Sequence, residues 1–325
     1  MPDAAGAQAK PAPLSMDWNS EAITLLVRAA LEEDIGAGDA TVQALVPPAA
    51  TARGSIIAKQ ELTVAGLPIA ERVFRALDGG VAFRARVQEG AAVRKGDVLE
   101  EINGSASAIL TGERTALNFL AHLCGIATLT RRLVEALAET RTRIRDTRKT
   151  TPLLRALEKY AVRMGGGTNH RFGLYDAILI KENHIALAGG VKPALDRAHA
   201  YAAQKGPARR EMTAYESFAP PGNAPPAEDA LPVQIEVRNE SELREALGCG
   251  ASALLLDNQT PAEAARLVSL ARGMRPDCVI EVSGGITLAN ARAYAEAGAD
   301  FLSSGALTHS APAADLSLLV ESLSG

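Results

Sequence analysis

The feature that most constrains the fold is a regular alternation of helical stretches with short apolar runs after residue 140. Each apolar run ends in a polar or glycine-rich step, and the chain between two runs is long enough for one loop and one helix. This pattern is typical of parallel βα units, and five or six such units favour a barrel over a short open sheet. The predicted strands cover residues 143–147, 177–181, 233–238, 253–257, 279–283 and 301–304.

The residues that close these runs are candidates for an active site, because the site of a parallel barrel lies where its strands end. We expect them to face one mouth of the barrel. They are Lys181, Glu236, Asp257, Ser283 and Ser304.

A local cluster of cations stands beside glycines and strand ends, between Asp146 and His184. The whole chain has 34 Lys and Arg against 38 Asp and Glu, a net charge of -4. The chain is therefore not a general basic surface for nucleic acid or anionic lipid, and the positive charge is local. The cluster suits a small substrate with several negative charges. Its members are Arg148, Lys149, Arg171 and Lys181, with His170 and His184 beside them.

Two glycine-rich steps close the last two predicted strands. They are Ser283-Gly284-Gly285 and Ser304-Gly305. Barrels commonly bind a phosphate at this position, through loop amides and a helix N-terminus. One glycine pair alone is more often an ordinary turn, but two at consecutive late strands indicate a phosphate site.

Glu236 and Asp257 are carboxylates at the ends of otherwise apolar runs. They could cap the following helix or pair with a cation. A carboxylate buried without function is costly, however, and two that flank a phosphate site can hold Mg²⁺ and sugar hydroxyls. Lys181 has two interpretations as well, because a strand-end lysine is the usual nucleophile of a Schiff-base aldolase, whereas its cationic neighbours favour pairing with substrate anions.

The chain before residue 140 has a different organisation. A helix is predicted from a cap at Asn19 or Ser20 to Gly36, short strands and one helix follow, and residues 106–139 predict two helices broken near Gly125. The predicted domains are a disordered tail at 1–16, an N-terminal α/β domain at 17–125, and a barrel at 126–309. Residues 205–232 lack a hydrophobic period and are predicted to form a flexible insertion.

The localisation prediction is a cytoplasmic enzyme. Three widely spaced cysteines fit a reducing compartment and form no metal knuckle. No segment has the apolar core of a signal peptide or the length of a membrane span. The remaining histidines, His122, His199 and His309, are predicted to be structural or solvated.

Several motifs, occurring in order from residue 20 to the C-terminus, resemble those of the quinolinate phosphoribosyltransferase family, also called carboxylating nicotinate-nucleotide pyrophosphorylases. The matching segments are Glu113-Arg114-Thr115-Ala116-Leu117-Asn118-Phe119, Asp146-Thr147-Arg148-Lys149-Thr150, Gly166 to Arg171, Lys181 to His184, Glu236, Leu256-Asp257-Asn258, Ser283-Gly284-Gly285-Ile286 and Gly305 to Ser310.

The resemblance implies an N-terminal α/β sandwich packed on an incomplete α/β barrel, with residues 310–325 returning to the sandwich. It implies that quinolinate and phosphoribosyl pyrophosphate give nicotinate mononucleotide, CO₂ and pyrophosphate. Arg148, His170, Arg171 and Lys181 then bind quinolinate, and the partner of a homodimer supplies Arg114. Whether dimers assemble into hexamers stays open. Lys149, Glu236 and Asp257 then act on phosphoribosyl pyrophosphate as the catalytic residues, and Glu236 and Asp257 also hold Mg²⁺. The 5′-phosphate is bound by Ser283, Gly284, Gly285, Ser304 and Gly305.

The chain departs from the family pattern at Leu153, where glycine is usual, and by its tail and insertion. Three alternatives remain open at this level. They are a phosphoribosyltransferase for a monocarboxylate such as nicotinate, a Schiff-base aldolase, and an inactive paralogue that binds nucleotide or serves another pathway.

Overall fold

The structure is a computed structural model that describes residues 16–205 and 231–324. The predicted tail at 1–16 and the predicted insertion at 205–232 lie almost wholly outside the described residues. The chain divides into two compact units. The N-terminal unit consists of Ala12–Arg131, Pro152–Gly166 and Ala311–Gly325, and the barrel unit includes Arg132–Thr151 and Gly167–Ser310.

Helices and strands are interspersed along the chain, as an α/β fold requires. In chain order the elements are α1 (Glu21–Ile35), α2 (Ala40–Leu45), β1 (Thr51–Ala58), β2 (Leu62–Thr63), α3 (Leu67–Leu77), β3 (Ala82–Ala85), β4 (Ala92–Val93), β5 (Val98–Ser105), α4 (Ala106–Ala136), β6 (Arg143–Arg145), α5 (Arg155–Met164), β7 (Ile178–Ile180), α6 (Glu182–Ala188), α7 (Val191–Lys205), β8 (Val233–Val237), α8 (Glu240–Gly248), β9 (Ala253–Asp257), α9 (Pro261–Met274), β10 (Val279–Ser283), α10 (Ala291–Glu296), β11 (Phe301–Ser303), α11 (Ala306–His309) and β12 (Leu316–Ser324).

The N-terminal unit contains a four-stranded sheet in the order β12-β1-β5-β3, whose paired strands are antiparallel. Every second residue of β1 is buried, which is the period of a strand with one face on the core. The first predicted helix is confirmed as α1. The Ser20 hydroxyl accepts a hydrogen bond from the Ile23 N–H, and Gly36 ends the helix with φ 52°.

The predicted break near Gly125 is wrong, because α4 runs without interruption from Ala106 to Ala136. A Cβ at Gly125 would lie 2.2 Å from the carbonyl oxygen of Pro312. The glycine is therefore needed where another backbone segment of the same unit approaches the helix, and not to end it.

The barrel unit contains one sheet of six parallel strands in the order β6-β11-β10-β9-β8-β7. All six predicted barrel strands are present. Within residues 16–205 and 231–324 no strand joins β6 to β7, which agrees with the expected incomplete barrel. Ala253, Val279 and Phe301 form a buried apolar cluster within it, and the central strands β9 and β10 are buried along most of their length, as strands covered on both faces are. Among the described residues, no helix has the length and apolar character needed to cross a bilayer.

Candidate active site

One cavity of about 620 Å³ opens at the carboxyl ends of the barrel strands. It brings together all five predicted strand-end residues, the cation cluster and both glycine steps. Its lining includes Arg148, Lys149, His170, Arg171, Lys181, Glu236, Asp257, Ser283, Gly284, Gly285, Ser304 and Gly305.

The loop after β6 brings Arg148 and Lys149 to this cavity. The Lys149 N–H donates to the Thr147 hydroxyl at 3.0 Å, and the Thr308 hydroxyl donates to the Lys149 carbonyl at 2.8 Å. A Cβ at Gly305 would lie 2.9 Å from Lys149 Cδ. The second glycine step therefore leaves room for the lysine stem. Arg148 Nε is buried and has no hydrogen-bond partner within the described residues.

The loop that carries His170 and Arg171 is tied to the end of β6 by Asp146, which is fully buried. Its carboxylate accepts hydrogen bonds from the Asn169 amide at 2.5 Å and from the His170 N–H at 2.8 Å. The Arg171 guanidinium donates to the Ala177 carbonyl at 3.0 Å. These contacts join two segments of the cation cluster that are more than twenty residues apart in the chain.

Lys181 and Glu236 form an ion pair across neighbouring strands, with 2.5 Å between Lys181 Nζ and Glu236 Oε2. The lysine side chain is 48% exposed, whereas the glutamate is 10% exposed. An apolar pocket activates the lysine of a Schiff-base enzyme, and Lys181 has the opposite surroundings. Asp257 lies on β9, two positions beyond Leu255, which pairs with Glu236.

The first glycine step has a backbone that requires glycine. Gly284 and Gly285 have φ angles of 98° and 63°, and a Cβ at Gly284 would lie 2.2 Å from Asn258 Oδ1. The Ser304 hydroxyl donates to the Ile286 carbonyl at 3.0 Å, which links the second step to the loop of the first. Backbone amides at such steps are suited to an anion.

Sequence reasoning missed a buried polar cluster next to the cavity, called the polar floor below, which consists of Glu281, Arg145, Gln234 and Ser303. Glu281 of β10 is completely buried and accepts hydrogen bonds from Arg145 at 3.3 Å, from Gln234 at 3.0 Å and from Ser303. Burial by itself raises the pKa of the Glu281 carboxyl, but the charged and hydrogen-bonding groups around it, Arg145, Ser303 and Gln234 among them, outweigh burial and hold the pKa below its usual range. A charged residue inside the apolar run of β10 was the available signal.

The histidines outside the cluster have different outcomes. His309 is exposed, which agrees with the prediction of a structural or solvated residue; it also lines the cavity, with its Nε2 3.0 Å from the position of a Cβ on Gly305. His122 has a structural contact, a hydrogen bond at 2.9 Å between its Nε2 and Glu158 Oε1, and Glu158 is completely buried in the N-terminal unit. Arg114 is the predicted site residue that belongs to the N-terminal unit, where it is exposed on α4.

Comparison with known proteins identifies the family. The model of the quinolinate phosphoribosyl transferase C-terminal domain matches residues 126–219 and 223–319, and the model of the N-terminal domain matches residues 39–124.

Named relatives agree with these matches. The chain is 40% identical over 292 residues to a probable nicotinate-nucleotide pyrophosphorylase [carboxylating] of Synechocystis sp., covering 89% of this chain and 90% of the relative. It is 38% identical over 306 residues to the nicotinate-nucleotide pyrophosphorylase [carboxylating] of Mycobacterium leprae, covering 93% and 98%. The crystal structure of NadC from Streptococcus pyogenes superposes with a TM-score of 0.79 at 37% identity, covering 93% and 97%. The chain therefore belongs to the quinolinate phosphoribosyltransferase family.

Proposed function

We propose that the chain transfers the phosphoribosyl group of phosphoribosyl pyrophosphate to the nitrogen of quinolinate and releases the 2-carboxylate as CO₂, in the biosynthesis of NAD. The observation that carries this proposal is the composition of the strand-end cavity. Four cations, three carboxylates and two glycine steps line the same space of about 620 Å³. Membership of the family, with both domain models matched, supports the same reaction.

Quinolinate, a pyridine-2,3-dicarboxylate, is assigned to the cationic part of the cavity. Arg148, Arg171 and Lys181 pair with its two carboxylates, and arginine can do so through two parallel hydrogen bonds. The buried and unpartnered Arg148 Nε supports this assignment. A buried donor of this kind is costly unless a ligand accepts its hydrogen bond.

Phosphoribosyl pyrophosphate is assigned to the glycine steps, the strand-end carboxylates and Lys149. The glycine steps hold its 5′-phosphate through backbone amides, Glu236 and Asp257 bind the ribose hydroxyls, and Lys149 meets the pyrophosphate. In the reaction the pyridine nitrogen bonds to C1′ while the C1′–O bond breaks and pyrophosphate leaves with the electron pair. The carbon–carbon bond to the 2-carboxylate then breaks, CO₂ leaves, and a proton takes its place on the ring.

Mg²⁺ fits the same carboxylates. Within the described residues no group of three or more His, Cys, Asp or Glu is arranged as a metal site. Mg²⁺ commonly uses one or two protein carboxylates together with substrate phosphates and water, and Glu236 and Asp257 meet that requirement. When bound, the ion supplies positive charge against the pyrophosphate.

The proposal extends to a cytoplasmic homodimer in which the partner subunit's Arg114 completes the quinolinate site. Its support is the resemblance of the segment around Arg114 to the family motif, and the exposure of Arg114 on α4. An exposed guanidinium is available to a carboxylate of a bound ligand.

The test is an incubation of the pure protein with phosphoribosyl pyrophosphate and either quinolinate or nicotinate, with and without Mg²⁺, following CO₂ and mononucleotide. We expect quinolinate to be preferred by tenfold or far more, because nicotinate leaves a desolvated cation unpaired at a cost of about 2 to 5 kcal/mol. Comparable turnover of both acids would contradict the proposal. A Lys181→Arg variant should retain some activity, and borohydride should trap no keto acid on the parent.

A further inference from the structure

His170 is held on three sides by residues of the barrel unit. Its backbone N–H donates to Asp146 Oδ1 at 2.8 Å. Its ring Nδ1 lies 2.8 Å from the backbone nitrogen of Arg171, and its ring Nε2 lies 3.5 Å from Glu281 Oε1. The residue is only 6% exposed. The orientation of the imidazole ring is therefore determined by its neighbours.

The contact with Arg171 determines which ring nitrogen carries the proton. A backbone N–H can only donate, so Nδ1 of His170 must offer a lone pair to it. The proton of the neutral ring then lies on Nε2, which faces the Glu281 carboxylate. A second proton on Nδ1 would point at the Arg171 N–H and break that hydrogen bond.

Glu281 is suited to accept from this Nε2–H because it remains a carboxylate. Its Oε2 accepts hydrogen bonds from Arg145 and Gln234. Its Oε1 accepts a hydrogen bond from Ser303 and faces His170. The ion pair with Arg145 is completely buried on both sides. Hydrogen bonds donated to a carboxylate favour its ionised form over its protonated form.

The same contacts bear on Arg171, whose guanidinium donates to the Ala177 carbonyl while its backbone N–H is held by His170. We infer that Glu281 is a positioning residue for the quinolinate subsite: it faces the Nε2–H of His170 and orients the ring, and the ring, kept neutral by the Arg171 N–H at Nδ1, fixes Arg171. This inference deepens the proposed function and rests on it. His170 then acts through Arg171 and does not add a positive charge for the two ring carboxylates.

The protonation of His170 can be measured without any assay of activity. The chain has five histidines, so selective ¹⁵N labelling gives few resonances, and a His170→Gln variant identifies the one in question. We expect an unprotonated Nδ1 and a protonated Nε2 from about pH 6 to about pH 8. A doubly protonated ring, or a proton on Nδ1, in the parent protein would overturn the inference.

The Glu281→Gln variant tests the effect on the substrate. We expect the KM for quinolinate to rise about tenfold or more, the KM for phosphoribosyl pyrophosphate to stay within about twofold, and the proton of the neutral His170 ring to be shared between Nδ1 and Nε2. Glu281→Asp, which keeps the charge, should recover part of the quinolinate affinity. If Glu281→Gln lowers only the melting temperature and leaves both KM values unchanged, Glu281 is structural and the inference is wrong.

Gln234→Met is the matched control, because it removes a hydrogen bond from the other oxygen of the same carboxylate. We expect lower stability with an unchanged His170 resonance and an unchanged KM for quinolinate. A change in either, as large as in Glu281→Gln, would mean that general damage to the floor explains the effect. If Glu281→Gln does not fold, the parent spectrum and Glu281→Asp still decide. A parent protein without activity on quinolinate would refute the proposed function. The ¹⁵N spectrum of His170 tests the tautomer and its contacts independently of activity.

Discussion

Glu100 of β5 should make the N-terminal unit less stable at neutral pH than at pH 5. Its side chain is buried at 2% exposure, and Glu100 Oε2 has no hydrogen-bond partner within the described residues. Burial, followed by repulsion from Glu71 and Glu89, raises the pKa of the Glu100 carboxyl from 4.5 to about 8. The folded chain therefore retains a proton that the unfolded chain loses.

The direction in which stability changes with pH follows from the two pKa values. Unfolding releases a proton between the unfolded value of 4.5 and the folded value of about 8, so stability is highest below this window and falls as pH rises through it. At about 1.4 kcal/mol for each pH unit, the penalty at Glu100 is about 1 kcal/mol at pH 5 and about 3 kcal/mol at pH 7.

Glu100→Gln removes this ionisation and should gain about 2 kcal/mol of stability relative to the parent on going from pH 5 to pH 7. A cost of about 1 kcal/mol for an additional unpaired amide donor applies at both pH values and cancels in the difference. The assay is urea unfolding followed by Trp18 fluorescence. Trp18 is the single tryptophan of the chain and packs edge-on against Tyr160 of the same unit, with 4.9 Å between ring centroids.

The neighbouring residue is the matched control. A hydrogen bond from Arg86 lowers the pKa of Glu101 from its usual value of 4.5. Glu101 is therefore ionised in both states between pH 5 and pH 7, and Glu101→Gln should leave the pH dependence in this range nearly unchanged. Parallel stability curves for the parent and Glu100→Gln between pH 5 and pH 7 would refute the reasoning, because they would show that Glu100 ionises alike in both states.

Three further predictions follow from backbone geometry and from the proposed dimer. Gly125→Ala should lower the free energy of unfolding by about 1 to 3 kcal/mol or more, because the added Cβ meets a backbone carbonyl. Gly273→Ala in α9 is the control: the space around this glycine is open, so the substitution should raise the free energy of unfolding by about 0.5 to 1 kcal/mol. Equal denaturation midpoints for the two variants would contradict this reasoning. Leu153→Gly should raise the melting temperature by relieving about 1 kcal/mol of strain, because Leu153 has φ 69° and is 88% exposed, and a lower melting temperature would show an unrecognised contact of this leucine. Arg114→Ala and Lys149→Ala proteins should each be nearly inactive, but co-folded heterodimers should recover activity in one of two sites; inactivity despite demonstrated subunit exchange would show that Arg114 does not act across the interface.

Local patterns in the sequence were sufficient to predict most of the helices and strands and most of the residues that line the cavity. Buried parallel strands appear as apolar runs because both of their faces are covered, and the residue after each run must then lie at the same edge of the sheet. This reasoning identified Lys181, Glu236 and Asp257, which the structure brings into one cavity. Helix α1 was equally local, because its capping serine and its terminal glycine lie within the segment itself.

Contacts between distant segments of the chain decided the remainder. The sequence around Gly125 could not show that the glycine accommodates the Pro312 carbonyl, because the two are nearly two hundred residues apart. The position of Glu281 in β10 indicated a buried charge, but its donors come from β6, β8 and β11 and are defined only when the sheet forms. Hydrophobic periodicity reports how one segment meets the core, whereas hydrogen-bond partners and the protonation of His170 depend on which segments meet each other.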